Sequence, residues 1–133
     1  MTENVKPLTE NRTFVYCDGG CLANGTDHSQ MYYSFKIGDG PVVKRLLDTG
    51  TNNRAEYIAL IVAMSEAVSL SLSNVTFFTD SQLIVNQVNN VWLVRDTTLR
   101  RFWQIVFDYI AMSGGIYRVV YAPREQIVAV LGH

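Results

Sequence analysis

The run Phe14-Val15-Tyr16-Cys17-Asp18-Gly19-Gly20 constrains this chain more than any other stretch. Its first four residues are aromatic, β-branched, aromatic and small, which suits a buried strand. One carboxylate and two glycines follow. A charge closing an apolar strand is costly unless something pairs with it. The glycines permit close approach of a backbone or a ligand and leave positive φ open. The run alone has two readings. It is an Asp-Gly turn that closes a strand, or it sets a metal-binding carboxylate beside room for a substrate. Acids elsewhere in the chain decide between them.

A length of 133 residues suits one domain with one core, preceded by a loose lead-in over 1–11. The content is 48% hydrophobic and 17% charged, that of a globular chain rather than a disordered one. No apolar run approaches the ~20 residues of a membrane span. The polar start carries no secretory h-region, so a cytoplasmic location is expected. The net charge of −1 gives no global case for a nucleic-acid partner, so such binding has to come from local patches. Cys17 and Cys21 have the spacing of a zinc pair, but no second Cys/His pair follows. Two free thiols in a reducing compartment are expected.

Along the chain, strands are expected over 13–17, 31–37 and 42–47, with a polar loop over 19–29 and a turn at Gly38-Asp39-Gly40-Pro41. Short connections make these three an antiparallel meander. Thr51, Asn52 or Asn53 can each cap a helix that runs to about Leu70. The middle of that helix, 58–64, is apolar nearly all round and should be buried on more than one side. A strand over 75–78, a short helix over 81–88, a helix over 98–112 and a strand over 116–121 follow. The tail from Pro123 opens a last helix. The order βββαβααβα predicts an α/β fold in which the first, fourth and fifth strands run parallel.

Three acids stand at expected element ends. Asp18 ends the first strand, Glu56 lies in the first turn of the long helix, and Asp80 ends the fourth strand. Each has a plain structural reading. Asp18 can be a turn residue. Glu56, three residues after Asn53, can complete a capping box. Asp80 can cap the helix behind it. Their conjunction is more specific, because sites in mostly parallel sheets form beyond the carboxyl ends of strands. Three carboxylates gathered there repel one another unless divalent metal resolves the charge, and hard Mg²⁺ or Mn²⁺ prefers oxygen ligands. Two such ions about 3.5–4 Å apart serve phosphodiester cleavage.

Three segments resemble core motifs of the type 1 ribonucleases H. They are Tyr16-Cys17-Asp18-Gly19-Gly20, Thr51-Asn52-Asn53-Arg54-Ala55-Glu56 and Phe78-Thr79-Asp80-Ser81-Gln82. Residues 91–99 resemble the short segment found where some members carry a basic protrusion. Ala122-Pro123-Arg124-Glu125-Gln126 is similar to the opening of the family's last motif. The resemblance implies a five-stranded mixed sheet of order 3-2-1-4-5 flanked by helices. It implies metal-dependent hydrolysis of the RNA strand of an RNA–DNA hybrid. Asp18, Glu56 and Asp80 would hold the metals, two Mg²⁺ or Mn²⁺ ions, and Gly19, Gly20, Asn52 and Gln82 would touch the RNA minor groove, where 2′-hydroxyls distinguish RNA from DNA. Trp92, Arg95, Arg100 and Arg101 either contact the DNA strand or are packing and solvated residues.

The tail departs from the family pattern. Counting from Pro123 puts Leu131 in the slot of the fourth site acid, and a one-residue deletion puts Val130 there. Neither binds metal. His133 is the remaining candidate for ligation or proton transfer, its alternative being a frayed terminus. A ligating His133 would make activity fall as pH drops through roughly 6–7. The departure implies a weakened enzyme, or one that binds hybrid or duplex without cutting it. A nuclease of this fold with another substrate is the third reading.

Overall fold

The computed structural model describes residues 12–22, 29–114 and 116–132. Its elements are β1 Arg12–Leu22, β2 Gln30–Ile37, β3 Val42–Thr49, α1 Asn52–Ser69, β4 Asn74–Thr79, α2 Gln82–Val88, α3 Thr97–Met112, β5 Tyr117–Tyr121 and α4 Arg124–Leu131. The strands form one sheet of order β3-β2-β1-β4-β5, as expected. The pairs β1–β2 and β2–β3 are antiparallel, whereas β1–β4 and β4–β5 are parallel. A tight turn joins β2 to β3. Gly38 adopts φ +54° there, and the amide of Gly40 donates to the carbonyl of Ile37 at 2.9 Å.

The helix α1 is the centre of the core. Ala55, Tyr57, Ala59, Leu60, Ala63, Met64 and Ala67 are all buried, and α1 packs on β1 and β2 and against α3. Its nearly all-round apolar middle is thus accounted for by burial on two sides. The Tyr57 hydroxyl donates to Oε1 of Gln87 at 2.7 Å inside the core, while Trp103 Nε1–H donates to the Gln87 carbonyl at 2.9 Å. These bonds tie α1, α2 and α3 together. On α3, Leu99 and Val106 are buried and Phe102 and Ile110 pack against the same core.

The opposite face of the sheet carries a smaller cluster. Ala122, Ile127 and Leu131 pack with Val130 against Tyr16 and Phe78, whose rings stack at 5.0 Å. Both cysteines are free thiols, Cys17 buried and Cys21 half-buried. Among the described residues no helix is long and apolar enough to cross a membrane.

Candidate active site

The position of Asp18 differs from the expectation. It does not end a strand, nor does it lie in a turn. β1 continues through Asp18, Gly19 and Gly20 to Leu22, paired throughout with β2. Its pairing with β4, however, stops at Tyr16 opposite Phe78. Asp18 therefore stands just past the point where β4 leaves β1, at the carboxyl end of the parallel part of the sheet. It is only 2% exposed.

The glycines act by close approach rather than by positive φ, which neither adopts. A Cβ on Gly19 would collide with the backbone of Ala55. Its absence lets the start of α1 lie directly on β1 and brings Glu56 to the site. The cap of α1 is Thr51, whose Oγ1 accepts from the amide of Arg54 at 3.2 Å. Glu56 is thus in the second turn, not the first, and makes no capping box with Asn53. A cap at Thr51 would need the acid at position 54, which is Arg.

Asp80 is not a cap either. Ser81 caps α2, its Oγ accepting from the amide of Ile84 at 3.2 Å. The Ser81 side chain also lies near enough to Glu56 to favour its carboxylate. Asp80 is left facing α4. That helix begins beside it because the Ala122 amide donates to the Thr79 carbonyl at 2.9 Å, carrying the β4–β5 pairing one residue further.

One cation closes the arrangement. Nη1 of Arg124 lies 3.3 Å from Oδ1 and 3.4 Å from Oδ2 of Asp18, and 3.2 Å from Oδ2 of Asp80. The hydroxyl of Tyr32, on β2, donates to Oδ2 of Asp18 at 3.3 Å. Among the described residues no set of three or more His, Cys, Asp and Glu side chains is drawn up closely enough to hold an ion. Asp18 and Asp80 nevertheless converge on a single point at which a cationic nitrogen sits, and their donors are hard oxygens. The residues present therefore fit a divalent ion of the Mg²⁺ or Mn²⁺ class.

The electrostatics reflect this crowding. Burial raises the carboxyl of Asp18 above its ordinary range; Arg124 opposes the rise and Asp80 adds to it. Glu56 is pushed up to about 7, chiefly by burial; the Ser81 side chain opposes this, and the charges of Asp80 and Asp18 reinforce it. Arg124 is held more firmly protonated by its bonds to both aspartates. The three acids thus share one field, although they come from β1, α1 and the end of β4.

The other expected residues fall in different places. Gly20 is covered by the ring of Tyr32, its cross-strand partner. Asn52 is exposed, and its Oδ1 accepts from the amide of Cys21 at 2.9 Å, strapping the end of β1 to the start of α1. Gln82 is exposed at the first position of α2. Trp92 is 48% exposed and is not a core residue. It lines a groove of about 390 Å³ with Leu93, Val94, Arg95, Arg100 and Trp103. Leu131 is buried in the small cluster on α4. His133 and the loop over 23–28 lie outside the described residues.

Sequence reasoning missed Arg124, Tyr32 and Ser81 as partners of the acids. Topology offered a signal for Arg124: it follows a strand parallel to β4, so it emerges at the same sheet edge as Asp80. Register offered one for Tyr32, which stands opposite a glycine.

Comparison with known proteins bears on the same residues. The RNase H family model matches residues 10–107, a span that contains Asp18, Glu56 and Asp80 and stops before β5 and α4. Ribonuclease HI of Halobacterium salinarum is 34% identical over 104 residues, which are 76% of this chain and 52% of that protein. The chain thus spans about half the length of this curated relative. The crystal structure of RNase H1 from the same organism superposes with a TM-score of 0.71 at 27% identity, covering 87% of this chain and 89% of that one. LC11-RNase H1, solved in complex with an RNA/DNA hybrid, shares the fold with a TM-score of 0.76 at 24% identity, covering 88% and 89%. With the family model matched over most of its length, the chain belongs to the RNase H family.

Proposed function

We propose that this chain is a metal-dependent endonuclease that hydrolyses the RNA strand of RNA–DNA hybrids. The observation that carries the reading is the convergence of Asp18 and Asp80 on one cationic point at the carboxyl edge of the sheet, with Glu56 coupled to both. Family membership supports the reaction class. The hybrid bound to LC11-RNase H1 supports the substrate.

In this reading Asp18, Glu56 and Asp80 hold two ions, Mg²⁺ or Mn²⁺. When bound, these ions supply an activated water and charge stabilisation at the leaving oxygen. The chain's own residues do the rest. Ser81 holds α2 in place through its cap. Asn52 and Gln82, both exposed, face the RNA strand, and the buried Gly19 and Gly20 form the floor on which α1 and Tyr32 lie. The bond from Cys21 fixes Oδ1 of Asn52 and leaves its Nδ2 to donate to a 2′-hydroxyl. Trp92, with Arg95 and Arg100 in the same groove, takes the DNA strand by stacking and phosphate contact.

A second reading has its own observation. Leu131 and Val130, the two positions the resemblance offers for a fourth acid, are apolar and pack in the small cluster, and Arg124 is paired with two of the other acids. A member that binds hybrid without cutting it would have this appearance. The test is cleavage of labelled hybrid, double-stranded RNA and single strands, each in Mg²⁺ and in Mn²⁺. Cutting confined to the RNA of the hybrid supports the enzyme. Hybrid binding without cutting in either metal supports the second reading.

A further inference from the structure

We infer that Tyr32 is a positioning residue for Asp18, reaching the site from β2 to fix the plane of its carboxylate. The inference rests on Asp18 being a metal ligand. The phenol donates to Oδ2 of Asp18 at 3.3 Å. Nη1 of Arg124 reaches both oxygens of Asp18, at 3.3 and 3.4 Å, and Oδ2 of Asp80 at 3.2 Å. Such carboxyl torsions are broad, so an unrestrained Asp18 can swing its carboxylate plane. The phenol from β2 and the guanidinium from α4, on one carboxylate, narrow that swing.

The local structure is built to let the phenol arrive. Tyr32 stands directly across from Gly20 in the β1–β2 register, two residues along from Asp18 opposite Ser34. A Cβ on residue 20 would lie 3.1 Å from Cε1 and Oη of Tyr32, tighter than an ordinary contact. The glycine thus lets the ring lie flat along β1 with its hydroxyl aimed at the acid. Lys44, on β3, places its ammonium 4.8 Å from the centroid of the same ring and holds it further. Ser34 is nearer to Asp18 in register, yet its buried hydroxyl makes no hydrogen bond. Contact from β2 to the carboxylate comes through Tyr32. At 3.3 Å the bond is long for hydroxyl to carboxylate.

Outer partners of metal-binding side chains typically change metal affinity by about 10- to 100-fold. The experiment is calorimetric titration of the full chain with Mn²⁺, comparing parent, Tyr32→Phe, Gly20→Ala, the double variant and Asp18→Asn. Steady-state cleavage of hybrid at saturating Mn²⁺ accompanies it. Tyr32→Phe should weaken Mn²⁺ binding about 10-fold while leaving the KM for hybrid and the melting temperature near those of the parent. Gly20→Ala, which displaces the ring, should weaken it similarly, and the double variant should be no worse than Tyr32→Phe alone. Parent-like Mn²⁺ affinity in Tyr32→Phe, with binding lost in Asp18→Asn, would overturn the role of Tyr32 and leave the metal site standing. Parent-like affinity in Asp18→Asn would overturn both.

Discussion

Nη1 of Arg124 stands 3.2 Å from Oδ2 of Asp80, and the same nitrogen reaches Asp18 at 3.3 Å. One side chain from the last helix thus neutralises acids on two different strands. A divalent ion held by those acids would compete with Arg124 for the same oxygens. Arg124→Ala is therefore expected to tighten Mn²⁺ binding. It should also lower the melting temperature of the metal-free protein by about 2–4 °C at low salt, because two carboxylates are left facing each other. Titration and thermal melts with and without Mn²⁺ check both signs.

Glu56 sets a pH dependence. Its carboxyl is raised from 4.5 to about 7 in the folded protein, chiefly by burial. The folded state therefore holds this proton more tightly than the unfolded state. Its contribution to metal-free stability is fully present below pH 4.5 and is lost as pH rises through about 7. Metal binding needs the carboxylate, so Mn²⁺ affinity should rise over the same window. Glu56→Gln should flatten the stability profile. A fall in activity as pH drops below 7 thus does not by itself implicate His133, whose imidazole would titrate in the same range. The two are separated by comparing the profile of His133→Ala with that of the parent.

Much of the architecture was legible in the sequence. The alternation of 31–37, the turn at 38–41 and the helical spacing from Ala55 onward predict the meander and the long helix, and both are present. The end of β1 was not legible. Asp-Gly-Gly has the local chemistry of a turn, yet β2 runs alongside it and α1 needs the bare Gly19 surface. Tertiary pairing overrides the local preference there. Thr51, one of the three expected caps, caps α1, and Ser81 rather than Asp80 caps α2, which leaves Glu56 and Asp80 for the site. Arg124 carries no local signal, since its role depends on which strand β5 joins. The nearness of Asp18 and Asp80 was legible because both stand at the carboxyl edge of parallel strands.

Trp92 gives a substrate test independent of the acids. It is 48% exposed, so Trp92→Ala should leave stability within about 0.5 kcal/mol of the parent. If the ring stacks on the DNA strand, hybrid binding should weaken about 5- to 10-fold. That loss should appear in KM rather than kcat. Loss of melting temperature without loss of binding would instead assign Trp92 to packing.

Placing an acid at Leu131, one of the two positions to which the resemblance assigns a fourth acid, should not add a ligand. Leu131 is 4% exposed and packs with Ile127 and Ala122 against Tyr16 and Phe78. Leu131→Asp removes apolar contact and buries a carboxyl. It should destabilise the fold by about 3–4 kcal/mol with no gain in cleavage, measured by denaturant unfolding beside the activity assay.

The central claim is that Asp18, Glu56 and Asp80 form a metal-dependent site for cutting RNA in a hybrid. The most direct measurement is cleavage of labelled RNA–DNA hybrid by the parent and by Asp80→Asn, in Mg²⁺ and in Mn²⁺, with circular dichroism to verify the fold. The amide keeps the volume of the carboxylate and removes its charge. The account predicts that the parent cuts the RNA strand only when metal is added and that the folded Asp80→Asn protein does not cut. Cleavage by Asp80→Asn at the parent's rate would contradict it.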